Sequence, residues 1–300
     1  MTAAIVIGYG SIGRRHARLL TEMGLSVSVL SRRPVADVRC IGSLADCTAD
    51  YVVIADETAR HGDSLLALAA SGFTGPVLVE KPLLVAPAKI ALPQSLSVSV
   101  GYDLRFHPLL SCLRQFLAGR RVLSAALHVG QHLSGWRPGR DWRQGYSASA
   151  ALGGGALRDL SHELDYLLWL FGPWKRLAAR GGNFAALGID SDELWALMVE
   201  CERCPVATIG LSYLDRPARR EIHVTTDAGS AHLDFLAGTL ATVDGSLSKV
   251  VVADELYRAE HECALAGGGS PLCSYDEGLA VVDMIAAAER AAAQSVWVAA

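Results

Sequence analysis

Residues 3–20 constrain this chain more than any other stretch. Ala3-Ala4-Ile5-Val6-Ile7 is an unbroken apolar run, and Gly8-Tyr9-Gly10-Ser11-Ile12-Gly13 follows it without a gap. Arg14-Arg15-His16-Ala17-Arg18-Leu19-Leu20 comes next, with Ile12, Ala17 and Leu20 spaced along one helical side. A buried strand that turns through glycines into a helix is the setting in which G-x-G-x-x-G marks a dinucleotide site. Gly8 permits the tight turn, Gly10 lets a pyrophosphate approach the backbone, and Gly13 lets helix and strand pack closely. The N–H groups of the helix start, around Ser11, Ile12 and Gly13, then face the phosphates at the positive end of the helix dipole.

Three hundred residues suggest two domains. A net charge of −4 carries no basic excess for nucleic acid or an anionic membrane as partner. No apolar run reaches the roughly 18 residues of a membrane span. The N-terminus enters a strand without a basic leader, unlike a secretory signal. Seven cysteines, an odd number without framework spacing, fit a reducing cytoplasm.

The first half alternates strands with helices. Ser26 to Leu30 is the second strand, and its end bears on the cofactor. An NAD site usually places an acid there for the ribose 2′-hydroxyl. This chain has Ser31-Arg32-Arg33, a hydroxyl and two guanidiniums suited to a 2′-phosphate. NADP is therefore the expected cofactor, with NAD as the alternative. Tyr51 to Ala55 is a third strand, followed by Thr58, His61 and a helical run over 59–70. Val77-Leu78-Val79 ends in Glu80-Lys81-Pro82, and Leu96 to Val100 closes on Gly101-Tyr102-Asp103-Leu104-Arg105-Phe106-His107-Pro108. An open parallel sheet binds its ligand at such carboxyl ends, so Ala55, Thr58, His61, Glu80 and Lys81 join the candidate cofactor set.

After Arg120-Arg121 the texture changes, which places a domain boundary there, with domains of 1–120 and 121–300. A loop rich in Trp, Arg and Gly runs over 131–155, and a helix is expected over 156–171, stopped by Gly172-Pro173. Short strand-like runs then recur at hairpin spacing, the last at 247–252, and indicate an antiparallel sheet. A capping box, Ser274-Tyr275-Asp276-Glu277, opens a last helix over 275–294, expected to pack back on the first domain.

Four separated motifs occur in one order: Gly8 to His16, Glu80-Lys81-Pro82, Gly101 to Pro108, and Gly153-Gly154-Gly155-Ala156-Leu157-Arg158-Asp159-Leu160-Ser161-His162. Together they resemble the Gfo/Idh/MocA oxidoreductases over nearly the whole chain. The resemblance implies an α/β fold: an N-terminal Rossmann domain with a doubly wound parallel sheet, then an α+β domain with a large, mostly antiparallel sheet. It implies hydride transfer between NAD(P) and a hydroxyl or keto carbon of a sugar, sugar derivative or nucleotide sugar. It also implies pairing of copies through the second-domain sheet.

The residues can be weighed on their own chemistry. Lys81 sits at a strand end beside the expected nicotinamide, where partial burial and positive charge pull an amine toward working pH. It is the candidate general acid or base, the role the resemblance also assigns to it. Asp159 and His162 are three apart and would share a helical face, where a carboxylate fixes an imidazole tautomer. The resemblance gives such a pair substrate positioning, although its commoner spacing is four. Trp136, Arg137, Arg140 and Tyr146 crowd the preceding loop, with Arg105 and His162 as further substrate contacts. Aromatic faces stack on sugar rings and guanidiniums grip anions. Cys201-Glu202-Arg203-Cys204 lacks a second ligand pair, so a hairpin is expected there and no metal. Two other readings stay open: a non-catalytic NAD(P)-binding regulator, and NAD-dependent glycoside cleavage through a transient ketone.

Overall fold

The computed structural model describes residues 2–32, 35–44, 48–136, 139 and 141–300. Two compact units divide the chain: Met1–Phe106 with Val252–Ala280, and His107–Val251 with Val281–Ala300.

The first unit begins β1 (Ala3–Ile7), α1 (Ser11–Glu22), β2 (Ser26–Leu30), β3 (Arg39–Ile41), β4 (Tyr51–Ile54), α2 (His61–Ala70), β5 (Pro76–Glu80) and β6 (Ser97–Gly101). These strands run parallel in the order β6-β5-β4-β1-β2-β3. The order reverses between β1 and β4, the point at which such sheets open a ligand crevice at the strand carboxyl ends. Tyr51, Val52, Val53, Ile54, Val77, Leu78 and Val79 are all fully buried. That is why their sequence reads as continuous apolar runs rather than alternation: both faces of a parallel sheet are covered. Val6, Leu20, Val29, Val53 and Leu78 form one core cluster. Each such side chain contributes about 1.5–3 kcal/mol on burial.

The second unit carries α3 (Pro108–Phe116), β7 (Val122–Gly130), α4 (Ala156–Asp159), α5 (His162–Phe171), β8 (Trp174–Gly182), β9 (Leu194–Cys201), β10 (Ala207–Ser212), β11 (Arg219–Thr226), β12 (Gly229–Asp234), β13 (Thr239–Thr242) and β14 (Gly245–Ser248). Their order is β14-β13-β12-β11-β7-β10-β9-β8, with β7 and β10 parallel and every other pair antiparallel. In β9, Trp195, Leu197, Val199 and Cys201 are buried while Leu194, Ala196 and Met198 are exposed. This period of two is what one covered face imposes. The covered face takes α3 on β12 and β13, α4 on β9 and β10, and α5 on β7. The other face holds a concavity of about 870 Å³ lined by Ala126, Ala196, Met198, Ile209 and others, none of them a candidate site residue.

The chain then returns to the first unit. α6 (Ala253–Leu265) packs on α1, and β15 (Cys273–Ser274) joins β6 antiparallel. α7 (Tyr275–Gln294) follows, and β16 (Val298–Ala299) pairs with β8. The capping box forms: the Ser274 N–H donates to Glu277 Oε2 at 2.9 Å and the Glu277 N–H to Ser274 Oγ at 3.3 Å.

The structure departs from the sequence reading in several places. Residues 107–120 cluster with the second unit, because α3 lays its Leu109–Leu113 stripe on the sheet. Only the first six residues of α7 belong to the first unit. The expected strand 247–252 is instead the end of β14, at Ser248, and a short irregular link over 249–252 that leads into α6. The helix expected over 156–171 breaks after Asp159, where the ladder tightens to i→i−3 bonds: Ser161 N–H to Arg158 O at 3.3 Å, Glu163 N–H to Leu160 O at 3.4 Å. The loop 131–155 is not structureless, holding 3₁₀ turns at 133–135, 142–144, 146–148 and 150–152.

Candidate active site

The glycine loop is built as a close-packed turn. Gly8 has φ +91°, and a Cβ there would lie 2.5 Å from the Asp56 N and 2.6 Å from the Ala55 O. A Cβ on Gly13 would collide with the Gly8 carbonyl, so helix and turn meet backbone to backbone. Gly10, the N-cap of α1, differs: nothing lies within 4 Å of its Cβ direction. The first turn of α1 carries no acidic residue, and the first intrahelical bond reaches only the Arg14 N–H, to Gly10 O at 3.0 Å. The N–H groups of Ser11, Ile12 and Gly13 thus keep the orphan donors that suit an anion. A dinucleotide fits these residues.

The neighbouring strand ends hold the rest of the cofactor candidates. Ser31 and Arg32 follow β2, and Arg32 is paired with Glu57 at 3.0 Å on an exposed surface. Arg33, Arg137 and Arg140 lie outside the described residues. Ala55 is buried, with its N–H bonded to Ile7 O at 2.7 Å, and Thr58 is buried at the start of a 3₁₀ turn. His61, expected to meet the cofactor, is instead 1% exposed. Its Nδ1 faces the Pro82 and Leu83 carbonyls at 3.1 and 3.3 Å, and its Nε2 faces Asp56 O at 3.3 Å. It ties the Glu80-Lys81-Pro82 turn to the end of β4.

Glu80 is buried and its Oε1 meets His16 Nε2 at 2.8 Å, while Oε2 accepts from the Lys81 N–H at 3.2 Å. Burial works to raise this carboxyl, but His16 and Lys81 outweigh it and hold the group below the usual glutamate range. Lys81 itself is half-buried. Arg105, expected as a substrate contact, is only 2% exposed and donates to Glu277 Oε1 at 2.9 Å. It is an internal tie between the turn after β6 and the start of α7.

In the second unit Asp159 ends α4 and His162 starts α5, so the break falls between them. Asp159 Oδ2 accepts from the Tyr213 hydroxyl at 2.6 Å, and the Tyr213 ring meets Trp136 edge-on at 5.1 Å. Burial first, then the Asp159 charge, push the Tyr213 hydroxyl well above its ordinary pKa, so it stays a donor. The Tyr146 hydroxyl donates to Gly153 O at 2.8 Å, an internal bond of the loop. The glycine run serves the protein's own packing: a Cβ on Gly155 would strike the Asp192 carboxylate, and one on Gly154 the Tyr146 carbonyl.

Residues 121–249 match the model of the GFO/IDH/MocA C-terminal domain. The whole fold agrees with solved structures. GenD2 from gentamicin A biosynthesis, in complex with NAD, superposes with TM-score 0.80 at 21% identity, covering 100% of this chain and 96% of that one. Levoglucosan dehydrogenase with NADH and levoglucosan gives 0.84 at 16% identity, over 99% of both chains. The WlbA dehydrogenase from Bordetella pertussis, with NADH and UDP-GlcNAcA, gives 0.79 at 17%, over 99% and 98%. At these identities the likeness is one of fold. No curated protein sequence matches the chain.

Several residues of the second unit escaped the sequence reading. Asp192 accepts from the Leu157 N–H at 2.8 Å and the Trp195 indole at 2.7 Å, and so anchors the first turn of α4. Glu163, fully buried beside His162, takes a two-pronged bond from Arg220 at 2.8 and 3.0 Å and a third from the Tyr166 hydroxyl at 2.8 Å. A bidentate guanidinium of this kind fixes orientation as well as charge. His107, from the Gly101–Pro108 motif, is driven down to about 4 by burial and then by Arg220. The Asp192–Leu157 and Glu163–Arg220 bonds join positions 35 and 57 apart, beyond the reach of any spacing rule, whereas Trp195 and Tyr166 each sit three residues from the carboxylate they meet.

Proposed function

We propose that this chain is an NAD(P)-dependent dehydrogenase acting on a hydroxyl or keto carbon of a sugar, a sugar derivative or a nucleotide sugar. The observation that carries the reading is the glycine loop: Gly8 and Gly13 locked backbone to backbone, with open space at Gly10 over the start of α1. Bound there, the nicotinamide supplies the hydride acceptor or donor. The chain's own residues do the remainder. The α1 N–H groups hold the pyrophosphate, and Lys81 takes or returns the hydroxyl proton. Asp159 and His162 position the sugar, Asp159 being aimed by Tyr213.

NADP is the proposed preferred cofactor, through Ser31, Arg32 and Arg33. The Arg32–Glu57 pair is exposed and therefore weak, so Arg32 can turn to a 2′-phosphate at little cost. The open face of the nine-stranded sheet, with exposed Met198 lining its concavity, is the proposed contact between two copies. A reducing compartment is proposed from the odd, unframed set of seven cysteines in the sequence. Among the described residues no helix is long and apolar enough to cross a membrane.

The test is a panel of sugars and nucleotide sugars, including UDP-GlcNAcA and levoglucosan, followed by absorbance of the reduced cofactor. With a turned-over compound in hand, Lys81→Met should keep cofactor affinity and cut turnover by about 10²–10⁴. Near-normal turnover in that variant would overturn the assignment of the proton to Lys81.

A further inference from the structure

The loop 131–155 and the segment that follows β10 run side by side in the second unit. The Gln131, His132 and Leu133 N–H groups donate to the Ser212, Asp215 and Tyr213 carbonyls at 3.1, 2.9 and 3.0 Å. One segment carries His132 and Trp136, the other Tyr213 and Arg216. Tyr213 holds Asp159, and Arg216 comes three residues later, so the Tyr213 and Arg216 Cα atoms are at most about 11 Å apart. Trp136, edge-on to Tyr213, keeps its indole N–H shielded from solvent and without an acceptor among the described residues. An indole nitrogen only donates, and a buried donor left unmet is costly, so a bound acceptor would stabilise it.

Outward from Arg216 the side chains touch one after another. Its Nη2 donates to His132 Nε2 at 2.8 Å, the His132 ring meets the Trp142 ring edge-on at 6.2 Å, and the Arg143 guanidinium lies 4.1 Å over the Trp142 ring. A guanidinium only donates, so His132 is neutral, accepting at Nε2 and donating from Nδ1 to the Ser134 hydroxyl at 2.8 Å. Burial first and then the Arg216 charge lower its proton affinity below the ordinary imidazole range, in agreement. Arg143 and Arg216 are exposed, and neither meets a carboxylate among the described residues. Other exposed arginines do: Arg18 has Asp254, and Arg176 has Glu200. The nearby acids are engaged elsewhere. Asp215 meets His128 at 2.7 Å and Arg219 at 3.4 Å, while Asp141 accepts from the Arg143 N–H and the Gln144 side-chain amide, each at 3.1 Å.

We propose that the substrate is a nucleoside diphosphate sugar, with Arg216 gripping the diphosphate and the Trp142–Arg143 stack receiving the base. This rests on the reading of Asp159 as a group that positions the sugar. Asp159, Tyr213, Arg216, His132 and Trp142 follow one another in the covalent order of such a ligand: sugar, then diphosphate, then base. A guanidinium fork matches phosphate oxygens, and Arg216 keeps N–H groups for them because its partner, His132, is a neutral imidazole. Indole and guanidinium planes both stack on nucleobases. An uncharged sugar held at Asp159 would engage neither cation.

Full-length protein saturated with NADH, which fills the glycine loop, is titrated calorimetrically with UDP, GDP, ADP, dTDP and inorganic pyrophosphate. At least one nucleoside diphosphate should bind. Arg216→Gln should weaken it, and pyrophosphate, by about 10-fold or more, the usual effect of losing a charge-assisted bond. Trp142→Ala should weaken the nucleotide by about 5-fold or more and leave pyrophosphate unchanged, because only the base stacks. If Trp142→Ala does not fold, Arg143→Gln, at an exposed position, must show the same selective loss. No binding by any of the four nucleotides, or binding that Arg216→Gln leaves unchanged, overturns the proposal. The titrations need no turnover. Oxidation of an uncharged sugar by a protein that binds no nucleotide would leave the dehydrogenase reading standing and this one overturned, and nucleotide binding without turnover of any sugar would do the reverse.

Discussion

Gly10→Ala separates a glycine kept for folding from one kept for a ligand. At φ −73° and ψ −164° the Gly10 backbone suits alanine, and its Cβ would meet nothing within 4 Å. Losing unfolded-state freedom stabilises by about 0.4–1 kcal/mol. Alanine is a poorer N-cap than glycine, by roughly 0.5–1 kcal/mol. The two terms nearly cancel, so stability should stay within about 0.5 kcal/mol. Binding should not be spared, because the methyl occupies the space through which phosphate reaches the α1 N–H groups. One lost charge-assisted bond costs about 2 kcal/mol, roughly 30-fold in dissociation constant. Gly13→Ala is the contrast: its methyl collides with the Gly8 carbonyl, an overpacking cost of about 1–3 kcal/mol in folding itself. Thermal melts and calorimetric titration with NADH and NADPH read both quantities. Unchanged cofactor affinity in a stable Gly10→Ala protein would refute the placement of the pyrophosphate at this loop.

Arg32→Ala should weaken NADPH by about 1–3 kcal/mol and leave NADH nearly unchanged; equal calorimetric affinities for both cofactors in the starting protein would remove the basis for an NADP preference. Tyr213→Phe keeps the ring against Trp136 but withdraws the donor from Asp159, and should lower the urea midpoint by an equivalent of about 1–3 kcal/mol at unchanged slope. A neutral effect would mean that Asp159 is held by other groups. His107 titrates near 4 in the fold against an ordinary 6.5, so the unfolded chain binds the extra proton first on acidification. Stability is therefore full above about pH 6.5 and declines toward pH 4, by about 3 kcal/mol in all for this group. Denaturation of His107→Gln across that range should show a shallower acid slope than the starting protein, and identical slopes would contradict the burial argument.

Much of the first unit was legible because its signals are short-range. β1, the glycine turn and the start of α1 lie within one stretch, and each residue there acts on neighbours a few positions away. α6 was not legible. Its buried positions are Leu256, Glu260, His261 and Ala264, so half of the inward stripe is polar and the hydrophobic period is masked. The same polar residues make sense only beside His16 and Tyr51, respectively 245 and 210 positions from His261. Arg105 misled for a related reason: an arginine in a motif reads as a ligand contact until Glu277 is found 172 positions on, accepting its hydrogen bond.

The sequence by itself determined the parallel sheet, the glycine turn between β1 and α1 and the antiparallel second sheet, and it singled out Lys81, Asp159 and His162 as the candidates for the chemistry. These follow from periodicity, backbone sterics and side-chain type, all properties of short segments. Only the tertiary structure decided how those residues are held. It broke the 156–171 helix between Asp159 and His162, aimed Asp159 with Tyr213, anchored α4 with Asp192, and joined Glu80 to Tyr51 through His16 and His261. Such hydrogen bonds join groups far apart in the chain. Their strength depends on mutual burial and direction, which exist only once the backbone has brought them together.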